Sequence, residues 1–113
     1  MLAPDVVNSV IRYLAALPGS GIHATKAIVF GSQARGDTHE WSDIDLLILA
    51  PEFDVPYTFE TASLLFRVKA KIDYRLEPIP CGVEEWRLPH GRPVLSFAAA
   101  EGIEVLAGDP ATP

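Results

Sequence analysis

The segment Ser42-Asp43-Ile44-Asp45-Leu46-Leu47-Ile48-Leu49 constrains the fold more than any other part of this chain. From Asp43 to Leu49 it reads as a strand, in which successive side chains alternate between faces. Ile44, Leu46 and Ile48 then lie on one side, and Asp43, Asp45, Leu47 and Leu49 on the other. Asp43 and Asp45 therefore leave the sheet from the same face as near neighbours. Two like charges at the start of a buried strand repel each other, and burying them unpaired is costly. They need a cation, and an all-oxygen donor set beside a phosphate suits Mg²⁺ or Mn²⁺.

The phosphate site is expected just upstream. A strand predicted from Ala24 to Phe30 ends in Gly31-Ser32 and runs straight into a short helix. Such a turn presents unpaired backbone N–H groups and the positive end of a dipole to an anion. Gly31 permits close approach, Ser32 adds a hydroxyl donor, and Arg35 on the next turn adds charge. A third carboxylate on an adjacent strand completes a two-metal site of the kind that clamps attacking and leaving oxygens in phosphoryl or nucleotidyl transfer. Lys71 to Leu76 reads as a third strand, and Asp73 is its only acid, so Asp73 is the expected third ligand.

The rest of the chain supplies a frame. Val6, Val7, Val10, Ile11, Leu14 and Leu17 recur at helical spacing between Pro4 and Pro18, and Pro18-Gly19-Ser20-Gly21 stops that helix. Phe59, Ala62, Leu65, Phe66 and Lys69 fit a second helix with a basic end. Residues 78–93, with four prolines in sixteen positions, read as mostly irregular. A last helix is expected over Pro93–Glu101, an edge strand over Ile103–Leu106, and a frayed tail over 108–113. Helix, strand, strand, helix, strand, helix, strand is the order of a small α/β or α+β sheet domain.

Composition narrows the function classes. Fifteen acidic against nine basic residues give a net charge of −6, which disfavours gripping duplex nucleic acid. Cys81 alone makes neither a disulfide framework nor a zinc site. No leader or membrane span is read, so the expected location is the cytoplasm. His23, His39 and His90 lack ligand spacing and read as surface residues, and Cys81 as structural. Tyr57, Tyr74, Trp41 and Trp86 read as packing residues, although Trp41, just before the acid pair, is also placed to stack on a base. Arg67, Lys69, Lys71 and Arg75 form either a solvated helix end or a hold on triphosphate or partner acids. Hydrophobic residues make up 49%, which with the proline-rich second half predicts an exposed apolar patch for a partner or a second copy.

Phe30-Gly31-Ser32-Gln33-Ala34-Arg35-Gly36, and Ser42-Asp43-Ile44-Asp45-Leu46-Leu47 with ten residues between Ser32 and Asp43, resemble the signature of the DNA polymerase beta-like nucleotidyltransferase superfamily. The likeness is greatest to its minimal single-domain members, commonly the antitoxin half of a pair with a HEPN-domain toxin, an RNase. It is specific over residues 30–49 and extends over 3–77; Glu101-Gly102-Ile103-Glu104-Val105-Leu106 is similar to the family's last turn and strand. The resemblance implies one nucleotidyltransferase domain over 1–113: an α/β (α+β) fold with a small mixed sheet flanked by helices. It also implies two Mg²⁺ ions and transfer of AMP from ATP to a hydroxyl, a toxin tyrosine in the antitoxin members. By residue it puts Gly31 and Ser32 at the triphosphate and Asp43 and Asp45 on both metals. Asp73 goes to the metal nearest the acceptor hydroxyl. The rivals are a non-catalytic antitoxin that masks the toxin surface, and nucleotidyl transfer to a small-molecule hydroxyl. The second is disfavoured by length, because related enzymes carry a further domain. Template-directed polymerisation lacks the basic domain it would need.

Overall fold

Apolar side chains on both faces of the central strands oblige helices to cover the sheet from both sides. The computed structural model describes residues 2–38, 42–87 and 92–108. Its elements are α1 (Pro4–Ala16), β1 (Lys26–Phe30), α2 (Ser32–Arg35), β2 (Ile44–Leu49), α3 (Phe59–Lys69), β3 (Leu76–Cys81), α4 (Val83–Arg87), α5 (Pro93–Glu101) and β4 (Ile103–Leu106). The four strands form one mixed sheet in the order β3-β2-β1-β4. β1 runs antiparallel to both β2 and β4, while β2 and β3 are parallel and joined through α3. The expected mixed sheet flanked by helices is thus present.

The alternation read along β2 holds. Ile44, Leu46 and Ile48 face α1 and α3, sharing one core with Val10, Tyr13, Leu14, Leu65 and Val68. Leu47 and Leu49 face the other way, with Ile28, Phe30, Leu95 and Ala98, beneath α5. Each fully buried aliphatic side chain contributes about 1.5–3 kcal/mol, and Leu46 to Leu49 of β2, with Ala50 just after it, are 0% exposed. β2 is the spine of both cores. Tyr13, also fully buried, donates its hydroxyl to the Leu65 carbonyl at 2.8 Å and so ties α1 to α3. Thr58 caps α3 by accepting the Thr61 N–H at 3.2 Å.

The third strand departs from the sequence reading. It occupies 76–81 rather than 71–76, and residues 71–75 form the turn that precedes it. Much of the proline-rich segment is therefore regular, as β3 and then α4. Parallel pairing explains why. Arg75 and Cys81 aim their carbonyls at β2, accepting from Ile44 N–H (2.8 Å) and Ala50 N–H (3.1 Å). Odd-numbered residues of β3 thus bond to β2, and Pro78 and Pro80 fall on the outward side of an edge strand, where a missing N–H breaks no ladder bond. Of the side chains expected to pack, Trp86 packs against the second core, and Tyr57, though 42% exposed, packs edge-on against Phe53 at 5.1 Å. Tyr74 does not; it is 68% exposed. Trp41, His39, His90 and the tail from 109 lie outside the described residues.

Candidate active site

One end of the sheet gathers the chemistry. β1 finishes there at Phe30, β2 and β3 begin there, and antiparallel pairing sets Phe30 opposite Asp45. Gly31, directly after β1, has φ +74° and ψ −150°, a conformation essentially confined to glycine. A methyl group at its Cα would also lie 2.7 Å from Asp45 Oδ2. Gly31 is therefore required twice, by dihedral and by space, and the Gly-Ser turn lies directly against an acid of the pair.

Asp43 is exposed and Asp45 half-buried. The Asp45 carboxyl is pushed above the ordinary carboxylate range, first by burial and then by the negative charges of Asp43 and Glu77. These causes outweigh the positive charge of Arg35, which acts in the opposite direction. Glu77 is the residue that the sequence reading missed. Register pairs it with Asp45 across the parallel β2–β3 ladder, so both side chains leave the sheet on the face carrying Leu47, Leu49, Ile79 and Cys81. A signal for it exists: Asp45-x-Leu47-x-Leu49 and Glu77-x-Ile79-x-Cys81 share one pattern, an acid followed by two apolar residues at period two. Lys69, at the end of α3, reaches Glu77 at 3.5 Å, donates to the Tyr74 carbonyl at 3.2 Å, and lies 5.7 Å from the Phe66 ring centroid.

Asp73, the expected third ligand, is not on the strand. It sits in the preceding turn, and its carboxylate is already enclosed. It accepts from Arg75 Nη2 at 2.8 Å, from Ser9 Oγ at 2.7 Å and from the Arg75 backbone N–H at 3.0 Å. The Arg75 hydrogen bond lowers its carboxyl to about 2, with burial opposing and Ser9 assisting. Arg75 also reaches Asp5 at 3.2 Å. Asp73 thus joins α1 to the turn before β3. Of the four basic residues read as a cluster, Lys69 and Arg75 are engaged in these internal pairs.

Ser32 begins α2, in which the Ala34 and Arg35 N–H groups both donate to the Gly31 carbonyl at 3.1 Å, leaving those of Ser32 and Gln33 without an intrahelical acceptor. Buried Gln33 points its side-chain amide at the carbonyls of Ser42 (3.4 Å) and Asp43 (3.3 Å), linking α2 to the mouth of β2. Arg35, half-exposed, donates from Nε to Asp37 at 3.1 Å and from Nη1 to both oxygens of Glu101 at 3.1 and 3.2 Å. Glu101 also accepts the Gly31 N–H at 2.8 Å, so that donor is turned to the protein itself. Among the described residues, no three His, Cys, Asp or Glu side chains converge closely enough to hold a metal ion. Asp45 and Glu77 share a face, and Asp43, one residue ahead of β2, acts on Asp45 through its charge, without the three being drawn together. Their donors are hard carboxylate oxygens, the kind that Mg²⁺ takes, and Lys69 at 3.5 Å offsets only the charge of Glu77.

A mixed sheet with paired acids at the start of one strand, beside a Gly-Ser turn ending its antiparallel neighbour, has the architecture of a nucleotidyltransferase. The sequence pattern described as the nucleotidyltransferase domain matches residues 9–85, well over half of the chain. The chain belongs to that family. A solved structure described as a toxin-antitoxin with AMP-PNP aligns with a TM-score of 0.59 and 20% identity, over 91% of this chain and 74% of that one. At that identity the likeness speaks for the fold. No curated protein matches the chain. Among the described residues no helix is long and apolar enough to cross a membrane.

Proposed function

We propose that this nucleotidyltransferase moves AMP from ATP to a hydroxyl on a partner protein, a tyrosine of a HEPN-type toxin, and thereby acts as its antitoxin in the cytoplasm. The observation that carries the reading is the common face of Asp45 and Glu77 beside the Gly31–Ser32 turn, with Asp43 just ahead of β2 acting on Asp45 through its charge. The solved toxin-antitoxin neighbour with AMP-PNP supports both the partner class and the nucleotide. In this assignment Asp43 and Asp45 hold two Mg²⁺ ions, and Glu77 takes the place expected for Asp73. The bound ions would align the attacking and leaving oxygens and offset charge on the triphosphate. The Ser32 hydroxyl and the Ser32 and Gln33 N–H groups hold the triphosphate, with Arg35 adding charge. Glu77, on the edge strand, faces the incoming hydroxyl and helps draw off its proton as oxygen attacks the α-phosphorus and pyrophosphate leaves.

A protein acceptor arriving at Glu77 meets Phe66 and Tyr74, both bridged to it through Lys69. Two turns back on α3, Phe59 is 90% exposed. These side chains also favour the second reading, in which the protein neutralises a toxin by covering it without chemistry. The test is intact mass spectrometry of the partner after incubation with ATP and Mg²⁺. Wild type should add the mass of one AMP, and Asp43→Ala and Asp45→Ala should abolish both transfer and metal-dependent nucleotide binding. Glu77→Ala should suppress transfer, and Asp73→Ala should retain it. Transfer by Glu77→Ala at the normal rate, with none by a folded Asp73→Ala, would restore Asp73 as the third ligand. A partner neutralised yet unmodified by wild type would establish masking.

A further inference from the structure

We infer that Glu101, the last residue of α5, is a positioning residue for the triphosphate: it sets the guanidinium of Arg35 and the Gly31 turn in the geometry in which they receive a nucleotide. The inference rests on the nucleotidyltransferase reading of this site and names a residue that the reading itself does not use. Glu101 is only partly exposed, and one carboxylate serves two groups on the phosphate side of the site. It accepts the Gly31 N–H at 2.8 Å and meets Arg35 Nη1 at 3.1 and 3.2 Å. Asp37 takes Arg35 Nε at 3.1 Å. Two edges of the guanidinium are thereby fixed, and Nη2 donates to no described residue. It is the nitrogen left for an anion.

The placement of Glu101 follows from the fold. β4 pairs with β1 so that Ile103 lies opposite Val29, and continuing that antiparallel register two residues brings Glu101 opposite Gly31. Glycine at 102 lets the chain turn there, since a Cβ would strike the Ala98 carbonyl and Ile28. The end of the last helix is therefore held against the turn that starts α2. A half-exposed arginine without such partners samples many rotamers, and ordering it on binding is a cost that Glu101 removes beforehand. The competing possibility is that Glu101 occupies donors which the phosphate needs. The two predict opposite signs.

The experiment is calorimetric titration of the full chain with AMP-PNP and Mg²⁺, for wild type, Glu101→Ala, Glu101→Gln, Arg35→Ala and the Glu101→Gln/Arg35→Ala double variant. Glu101→Gln retains an acceptor for the Gly31 N–H and so guards against loss of fold, which circular dichroism checks. Removing Glu101 should weaken nucleotide binding about two- to tenfold, the penalty for immobilising one rotamer-rich side chain. The double variant should be no weaker than the worse single one, because both act through the same guanidinium. The Arg35 side-chain ¹⁵N–¹H signals, sharp when the guanidinium is held, should broaden in Glu101→Gln, a change that overall stability alone does not produce. Unchanged or tighter binding by a folded Glu101→Gln, or additive losses in the double variant, would overturn the inference. Wild type that fails to bind Mg·AMP-PNP at millimolar concentration would instead remove the nucleotide reading, and this inference with it.

Discussion

Replacing Gly31 by alanine asks a side chain to enter a backbone conformation and a space that both exclude it. At φ +74° and ψ −150° the conformational cost for a residue with a Cβ is about 1–3 kcal/mol. The added methyl would also begin 2.7 Å from Asp45 Oδ2, so the half-buried carboxylate must withdraw by several tenths of an ångström to reach ordinary contact. Gly36 provides the internal control. It too has positive φ, at +80°, but nothing lies within 4 Å of its would-be Cβ, so Gly36→Ala pays only the left-handed penalty of about 1–2 kcal/mol. For a domain of this size, 2 kcal/mol lowers the midpoint of thermal unfolding by roughly 10 °C. Both variants should therefore melt early by a comparable amount. Only Gly31→Ala should also lose Mg²⁺-dependent nucleotide affinity, because only there does the strain act on Asp45. Circular dichroism melts and calorimetric titrations with Mg·AMP-PNP, run on both variants and wild type, separate the effects. Equal nucleotide affinities for the two would refute the claim that the Gly31 turn sets the position of Asp45.

Three further outcomes follow from the same geometry. Asp73 titrates at about 2 in the folded chain against 3.8 ordinarily, so its contribution of about 2 kcal/mol is present above pH 4 and lost as pH falls through 2; urea midpoints measured between pH 2 and 5 should fall more steeply for wild type than for Asp73→Asn. Tyr13→Phe removes a buried hydroxyl bonded to the Leu65 carbonyl at 2.8 Å and should cost about 1 kcal/mol in urea unfolding, without altering nucleotide affinity. Ser32→Ala should weaken Mg·AMP-PNP binding by about 1–3 kcal/mol, the loss of one charge-assisted hydrogen bond; indistinguishable titrations would remove the Ser32 hydroxyl from the site.

What was legible in the sequence was whatever short-range pattern decides. The period of two along Asp43–Leu49 gave both faces of β2, and the helical spacing of residues 6–17 gave α1. The turn at Gly31 was legible because an apolar strand running into Gly-Ser leaves little else to form. What stayed hidden depends on pairing across the sheet. Nothing in Lys71–Leu76 reveals that its residues turn back onto α1, because that follows from Arg75 and Ser9 closing around Asp73, and Ser9 is 64 positions away. Pro78 and Pro80 argued against a strand until the edge position showed that their side of the ladder has no partner. Glu77 became the neighbour of Asp45 only once the parallel register was known. Glu101 was visible as a motif, but its bond to Gly31 spans 70 positions and could not be read from spacing.

The prolines of β3 also decide how this molecule can meet others. An unprotected edge strand invites a further strand, from a partner or from another copy, through alternating main-chain donors and acceptors. Along this edge the outward positions are Leu76, Pro78 and Pro80. The prolines have no N–H to give, and that of Leu76 is already committed to the Asp73 carbonyl at 3.2 Å. The Pro80 carbonyl is taken as well, by Arg92 at 2.9 Å. At the opposite margin β4 is only four residues long. The sheet is thus closed to growth on its β3 side, which guards against edge-to-edge aggregation and denies a partner entry there by strand addition. A protein that docks beside Glu77 must do so through side chains, so that its specificity lies in the residues it presents rather than in a shared backbone ladder.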